Sequence, residues 1–405
     1  MSSIKVEKCI QAPPSEVYRY FTNSTAYKDW MCDIATLQPH VGSHIFLGWL
    51  GEYYSSGEFL QLEKDKFVSF SWFGRNEPHQ TQVDISLKKK KGGTLVKLAH
   101  RSLGKGNKWV GIGEAFEKEW GSSLENLASV LETGADLRIT RRPLLGVFIG
   151  EFNREIATQL CVPVTVGVRL EGVVDGLGAQ KAGLQKDDVI VSVDGKDLTE
   201  GVPLGTAITG KHAGEVVEIG YYRGPDKKSV KMTLSGRQLP PMPASGKELS
   251  KQVEPTYRQY EAEFERLLDG ASDEECAFTP GPGEWSVNEI LAHLIHSEIG
   301  WQNYATEIIQ GHEATYDDYG GNLQARIDGT TTAFPTKGAL LGELKSHDAE
   351  TLAMLSHLAE DFPQHKGRLW KLAFNANENS LHLKGHLEQM RAAIEAAREK
   401  PSHQE

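Results

Sequence analysis

The residues best suited to chemistry are three histidines in the last third of the chain. His293 stands in one amphipathic stretch, and His382 and His386 form an HxxxH in another. A spacing of four places both members of the pair on one helical face, as two ligands of one metal require. At about 100° per residue, His293 lies about 90° from the centre of the apolar stripe Val287, Ile290, Leu291, Leu294 and Trp301. His386 and His382 lie about 60° and 100° from the stripe Leu383, Leu387, Met390 and Ile394. All three are expected to point into one end of a helical bundle. His296, about 150° from its stripe, is expected to face water. Three neutral imidazoles suit a divalent ion, zinc or nickel, with positions left for water or a thiolate. An ion so held lowers the pKa of what it binds and supplies a nucleophile near neutral pH. Glu289, one turn before His293 and three residues after Ser286, is either a partner of the ligands or the closing member of a capping box. No further catalytic residue is legible.

Four amphipathic stretches carry these residues, at about 247–268, 286–310, 337–360 and 377–399, and a four-helix bundle is their natural packing. Residues 247–405 hold 14 basic and 27 acidic residues, a deficit of 13 that exceeds the net −11 of the whole chain. Nine of the 14 histidines lie beyond residue 290, which reinforces the expectation of metal or acid–base chemistry there. The runs Trp285-Ser286-Val287-Asn288-Glu289-Ile290-Leu291-Ala292-His293 and His382-Leu383-Lys384-Gly385-His386-Leu387 resemble the DinB/YfiT-like superfamily. The resemblance covers residues 247–400 and implies an all-α metal-binding bundle with His293, His382 and His386 as its triad. It further implies a low-molecular-weight thiol as co-substrate, since relatives of this kind include thiol S-transferases and thiol-dependent isomerases.

Residues 1–136 read differently. IKVEKCI, GEFLQLE, KFVSFSWF, TQVDISLKKK and TLVKLAHRS alternate as strands do, and Lys91-Gly92-Gly93 marks a hairpin turn. A short helix follows Pro13-Pro14, with Ser15 as its expected N-cap. A long one runs from about Ile112 to Leu131, with Trp120, Leu124, Leu127 and Leu131 on one face. This order, together with IKVEKCIQAPPSEVYRYFTN, GEFLQLEKDKFVSFSW and FEKEWGSSLENLASVLETG, resembles the SRPBCC (START-like) superfamily. More narrowly it is similar to the C-terminal domain of the heat-shock-protein-ninety ATPase activator. The resemblance implies an α+β helix-grip fold with a cavity between sheet and helix. Trp49, Trp72, Trp109, Phe116 and Trp120, with Phe70 and Phe73, either line that cavity or fill the core. The ligand it would take is an apolar small molecule.

Residues 138–237 are richer in Gly and Val. GVRLEGVVDGLGAQKAGLQKDDVIVSVDGKDL resembles a mainly-β PDZ domain of the bacterial type. Asp194-Gly195 reads as a hairpin turn. Asp187 stands where the family usually has Gly, and Gly178 where it often has Pro. The resemblance implies a carboxylate-binding loop at Leu145, Gly146 and Val147. A peptide C-terminus would then add as a strand beside Val147-Phe148-Ile149. The opposite wall would be a helix from Pro203 to about His212, with Leu204, Ala207, Ile208 and Lys211 near the groove. Leu145 to Val147 are otherwise a strand start packed internally. A Pro-rich linker, residues 238–246, separates this segment from the bundle.

The composition excludes several classes. No segment is strongly basic, which argues against nucleic acid as a partner. No apolar run approaches the about 18 residues of a membrane span. The four cysteines show no CxxC, so neither a disulfide framework nor a thiolate zinc site is expected, and a reducing cytoplasm is. The expected whole is a bacterial multidomain protein of stress response or detoxification. It is a metal-dependent S-transferase-like enzyme joined to an apolar-ligand domain and a peptide-docking domain. The alternative is a non-catalytic adaptor or chaperone-associated sensor. Oligomeric state stays open, with a homodimer as the usual habit of such bundles.

Overall fold

The computed structural model describes residues 2–399 apart from 50–52, 105, 107–108, 110, 200–203, 209, 238, 282–283 and 313–323. Pro203, Gln238 and residue 400, each the edge of an expected element, lie outside the described residues. Residues 1–135 and 240–405 form one compact unit, and residues 136–239 a second.

In the first unit, a seven-stranded antiparallel sheet is built from β1 (Ser2–Ile10), β2 (Ile34–Leu37), β3 (His44–Gly48), β4 (Tyr54–Glu63), β5 (Phe67–Gly74), β6 (Thr81–Lys90) and β7 (Gly93–Leu103), in the order β1-β7-β6-β5-β4-β3-β2. Helices α1 (Pro14–Arg19) and α2 (Ser24–Lys28) follow β1, and α3 (Ile112–Thr133) closes the domain. Trp120, Leu124, Leu127 and Leu131 of α3 are buried in one core with Trp30, Phe59, Phe70 and Trp72. Two expectations need correction. Ser15 is not the N-cap of α1: the helix begins at Pro14 after Pro13, because proline's fixed φ suits a first helical position and its missing N–H costs nothing there. Phe73 is 47 % exposed, because it alternates with the buried Trp72 along β5.

The bundle of the same unit contains α8 (Gly246–Asp269), α10 (Val287–Gln310), α12 (Lys337–Ser356) and α13 (Lys366–Glu399), with the shorter α9 (Asp273–Ala277) and α11 (Gln324–Ala333) between them. Helix α13 begins eleven residues before its expected start. Its first three turns bury Leu369, Trp370, Leu372, Ala373, Phe374 and Ala376 over an arc too wide to read as a single stripe, broken by Lys366, Arg368, Lys371 and Asn375. A helix with so wide an apolar arc packs on more than one side. One side packs in the bundle with Leu249, Val253 and Leu355. The other meets α3 of the N-terminal domain, where Lys366 Nζ donates to the Glu132 carbonyl (2.8 Å) and Lys371 pairs with the buried Asp29.

The second unit contains a sheet in the order β13-β12-β10-β9-β8, with β11 (Lys196–Asp197) paired to β10 (Val189–Val193). The remaining strands are β8 (Val147–Gly150), β9 (Val168–Val173), β12 (Val216–Arg223) and β13 (Asp226–Thr233). Helices α4 (Leu137–Thr140), α5 (Arg154–Gln159), α6 (Gly178–Lys181) and α7 (Leu204–Ala207) are all short. Asp187 takes a left-handed φ of 69° and pairs with Arg169 at 2.7 Å, so the turn survives without glycine. Gly178 cannot be replaced cheaply: a Cβ there would lie 2.2 Å from the Thr233 carbonyl oxygen.

The joint between α3 and α13 is the most sensitive packing point of the first unit. Gly134 caps α3 at φ 85°, and a Cβ there would lie 2.4 Å from the Lys366 carbonyl oxygen. Gly134→Ala is expected to cost about 1–3 kcal/mol, from left-handed strain plus displacement of α13. Thermal unfolding measures it, and an unchanged midpoint contradicts the close approach.

Candidate functional site

The histidines are brought together by α10 and α13. The first turn of α10 is fixed by a capping box in which Ser286 Oγ accepts from Glu289 N and Glu289 Oε2 accepts from Ser286 N (2.8 Å) and Ser286 Oγ (2.8 Å). The Glu289 carboxylate thus holds the helix terminus. One turn on, His293 enters the bundle at 7 % exposure. His382 and His386 reach it from the middle of α13.

Three Nε2 atoms converge. His382 Nε2 lies 3.0 Å from His293 Nε2 and 3.0 Å from His386 Nε2, and one donor atom from each residue lies within 4.8 Å of the other two. A neutral imidazole nitrogen carries either a proton or a lone pair, so one His382 nitrogen cannot satisfy both neighbours. A shared cation satisfies all three lone pairs at once, and in that sense the donor set fits a divalent ion. Burial, then the charges of His386 and His293, pushes His382 down to about 3. Burial and His293 push His386 down to about 4, against the Gln389 contact. Both rings are therefore neutral at pH 7, the form that ligates.

Three residues around the triad were not singled out from sequence. Gln389 Oε1 is 3.0 Å from His386 Nδ1 and fixes that ring's orientation. Ser297 Oγ is 3.4 Å from His293 Nε2. The Trp285 ring lies 4.9 Å from His293 and stacks on His386 at 6.4 Å. The signal for Gln389 and Ser297 was helical spacing, three and four residues beyond a ligand. His296 departs from expectation: it is half-buried, with Nε2 2.7 Å from Thr330 Oγ1. The cause is α11, a helix that showed no apolar periodicity.

Deeper in the bundle is a second titratable cluster. Glu298 accepts from Tyr257 Oη (3.0 Å) and Thr351 Oγ1, and burial raises its pKa. Asp348, 6 % exposed, is pushed up to about 8 by burial and then by Glu298 and Glu261, with Arg258 opposing.

In the N-terminal domain, Trp49, Trp72, Phe116 and Trp120 line a cavity of ≈ 480 Å³, with Tyr53 and Glu77 in its wall. Trp109 is elsewhere, its ring 4.8 Å from His79, because it precedes α3 and lies against Gly104. Phe70 is core, packed on Phe59 and Trp72.

In the second unit, Leu145 is 7 % exposed and belongs to the domain core. Gly146 is left-handed at φ 79°, and Val147 begins the edge strand β8. The carbonyls of Leu145 and Gly146 accept from Ala179 N and Val174 N; neither N–H of these two residues has a protein acceptor among the described residues. Ile208 is half-buried just after α7, while Leu204 points into the core and Lys211 pairs with Asp194.

The comparisons with known proteins follow the same division. Residues 11–132 match the family model for Activator of Hsp90 ATPase homolog 1-like protein, 143–234 that for the PDZ domain, and 256–390 that for the DinB superfamily. The chain is thus multidomain: an antiparallel-sheet domain, a PDZ region and a helical DinB region. It is similar to the "Periplasmic pH-dependent serine endoprotease DegQ" of Escherichia coli, 30 % identical over 162 residues that make up 38 % of this chain and 34 % of that protein. It is also similar to a "Probable periplasmic serine endoprotease DegP-like" of Ectopseudomonas mendocina, 32 % identical over 29 % of this chain and 23 % of that one. The chain spans 40 % or less of the length of each such relative. Among solved structures, the Aha1 dimer from Colwellia psychrerythraea is 21 % identical at a TM-score of 0.30, covering 33 % of this chain and 97 % of that one. No helix among the described residues is long and apolar enough to cross a membrane.

The buried carboxylates give a pH test. A carboxyl that keeps its proton in the fold loses stability as pH rises from about 4, its unfolded value, towards about 8, and the loss then stays constant. Asp348→Asn removes that cost. It is expected to raise the thermal midpoint more at about pH 8 than at about pH 5. Equal shifts at the two pH values contradict a proton held on Asp348.

Proposed function

We infer that the chain is a metal-dependent small-molecule enzyme of the thiol S-transferase type, with His293, His382 and His386 holding a divalent ion, zinc or nickel. The observation that carries this reading is the convergence of three Nε2 atoms whose mutual contacts cannot all be hydrogen bonds. Once bound, such an ion supplies Lewis acidity and lowers the pKa of a thiol or water in its open positions. The chain's own residues do the rest. Gln389 orients His386, Trp285 closes the apolar side of the site, and Glu289 fixes the helix terminus that presents His293. The N-terminal cavity takes an apolar small molecule, and the PDZ region docks a partner's C-terminal peptide. For the peptide the supporting features are the edge strand β8 and the two unpaired N–H groups at Leu145 and Gly146. The four cysteines are free, which suits a reducing compartment such as the cytoplasm.

The second reading, an adaptor with a structural metal, rests on that open strand edge. Capture of C-terminal peptides that is unchanged by His386→Ala, without metal-dependent thiol transfer, would favour it.

Metal analysis by mass spectrometry on protein purified without a polyhistidine tag separates these readings from none at all. About one equivalent is expected in the wild type and none in the folded His382→Ala/His386→Ala variant. A thiol-transfer screen with bacillithiol, mycothiol and glutathione then tests catalysis. No metal in either protein, and no uptake from added zinc or nickel, sinks the metal reading.

A further inference from the structure

The cavity of the N-terminal domain is lined mostly by aromatic and aliphatic side chains; of its charged and polar residues Arg75, Asn76 and Glu119 are exposed and Ser123 half-buried, and Glu77 is buried. Glu77 sits in its wall at 9 % exposure. Its Oε1 receives two hydrogen bonds, from Tyr53 Oη at 2.6 Å and from Trp72 Nε1 at 3.0 Å. Burial first, and then the Glu77 contact, keeps the Tyr53 hydroxyl protonated and therefore a donor. Both donors meet Oε1, so this oxygen of Glu77 acts only as an acceptor. The backbone closes in on the same group: a Cβ at Gly74 would lie 2.0 Å from Glu77 Oε1 and 2.3 Å from Tyr53 Oη.

The other oxygen has nothing. Glu77 Oε2 is buried without a hydrogen-bond partner, and among the described residues Glu77 makes no ion pair. Arg75 and Glu119 also line the cavity, but both are exposed. A buried carboxylate with no counter-charge and no donor on one of its oxygens is costly, and a fold that keeps one is arranged to receive both from outside.

We propose that this cavity selects an apolar molecule carrying one protonated amine, whose ammonium donates to Glu77 Oε2 while its body packs among Trp49, Trp72 and Phe116. The proposal rests on reading the cavity as an apolar-ligand site and names the class of ligand. A neutral alcohol completes the hydrogen bond but leaves the charge unpaired, whereas an ammonium does both.

Calorimetric titration of the full chain at neutral pH with naphthylmethylamine, naphthylmethanol and naphthoate tests it. The amine is expected to bind about tenfold or more tightly than the alcohol, with the carboxylate weakest. Glu77→Gln is expected to erase the amine's advantage and leave alcohol binding within about threefold. Ala115→Trp, which fills the cavity from an exposed position of α3, is expected to abolish binding of both and remains informative where Glu77→Gln does not fold. An amine that binds no better than the alcohol, or that still binds with Ala115→Trp, overturns the amine selectivity while alcohol binding leaves the apolar site standing. Failure of all three probes to bind overturns the ligand-cavity reading itself.

Discussion

The arrangement of the first unit depends on one physical constraint: helix α13 must serve two neighbours along a single axis. Its first three turns are wedged between the bundle and α3, with Lys371 paired to the buried Asp29 and the Lys366 carbonyl against Gly134. Its middle carries His382 and His386 into the bundle, where they meet His293. A helix is stiff over this length, so the register set at the interdomain joint is carried to the two ligands. The convergence of the Nε2 atoms thus follows from packing as much as from the HxxxH spacing. The cost is three crowded imidazoles, two of them held neutral by burial, a state that a cation relieves.

The bundle manages a second set of buried polar groups differently. Glu298 is satisfied by Tyr257 and Thr351, and Asp348 keeps its proton, so no ion is called for there. The two clusters share one bundle and solve opposite problems. One collects imidazole lone pairs, and the other pairs a carboxylate met by hydroxyl donors with a carboxyl that retains its proton. In the N-terminal domain Glu77 is a third case, an acceptor with donors on one oxygen and none on the other.

Much of this was legible in the residues. The period-two strands 81–90 and 94–102, the face of α3 and the capping box at Ser286 all fall where local patterning puts them, because each has one buried face and one wet one. The histidine triad was legible for the same reason. What escaped has a common cause. The first turns of α13 are buried over an arc too wide to read as one stripe, and α11 has so little periodicity that nothing in the sequence places it over His296. The short β2 and β3 are too brief to alternate visibly. Glu77 could not be found from sequence at all, since its partners Tyr53 and Trp72 reach it only through the sheet. The side chains of Leu145 and Leu204 lie in the domain core, as apolar side chains at strand and helix starts often do.

The account stands or falls on whether one ion sits among the three imidazoles. The most direct measurement is anomalous diffraction at the metal's absorption edge, from crystals of the full chain grown with zinc or nickel. A single strong peak bounded by the Nε2 atoms of His293, His382 and His386 is the expected result. A clear electron-density map in which these rings hydrogen-bond among themselves, with the metal bound elsewhere or nowhere, would contradict it.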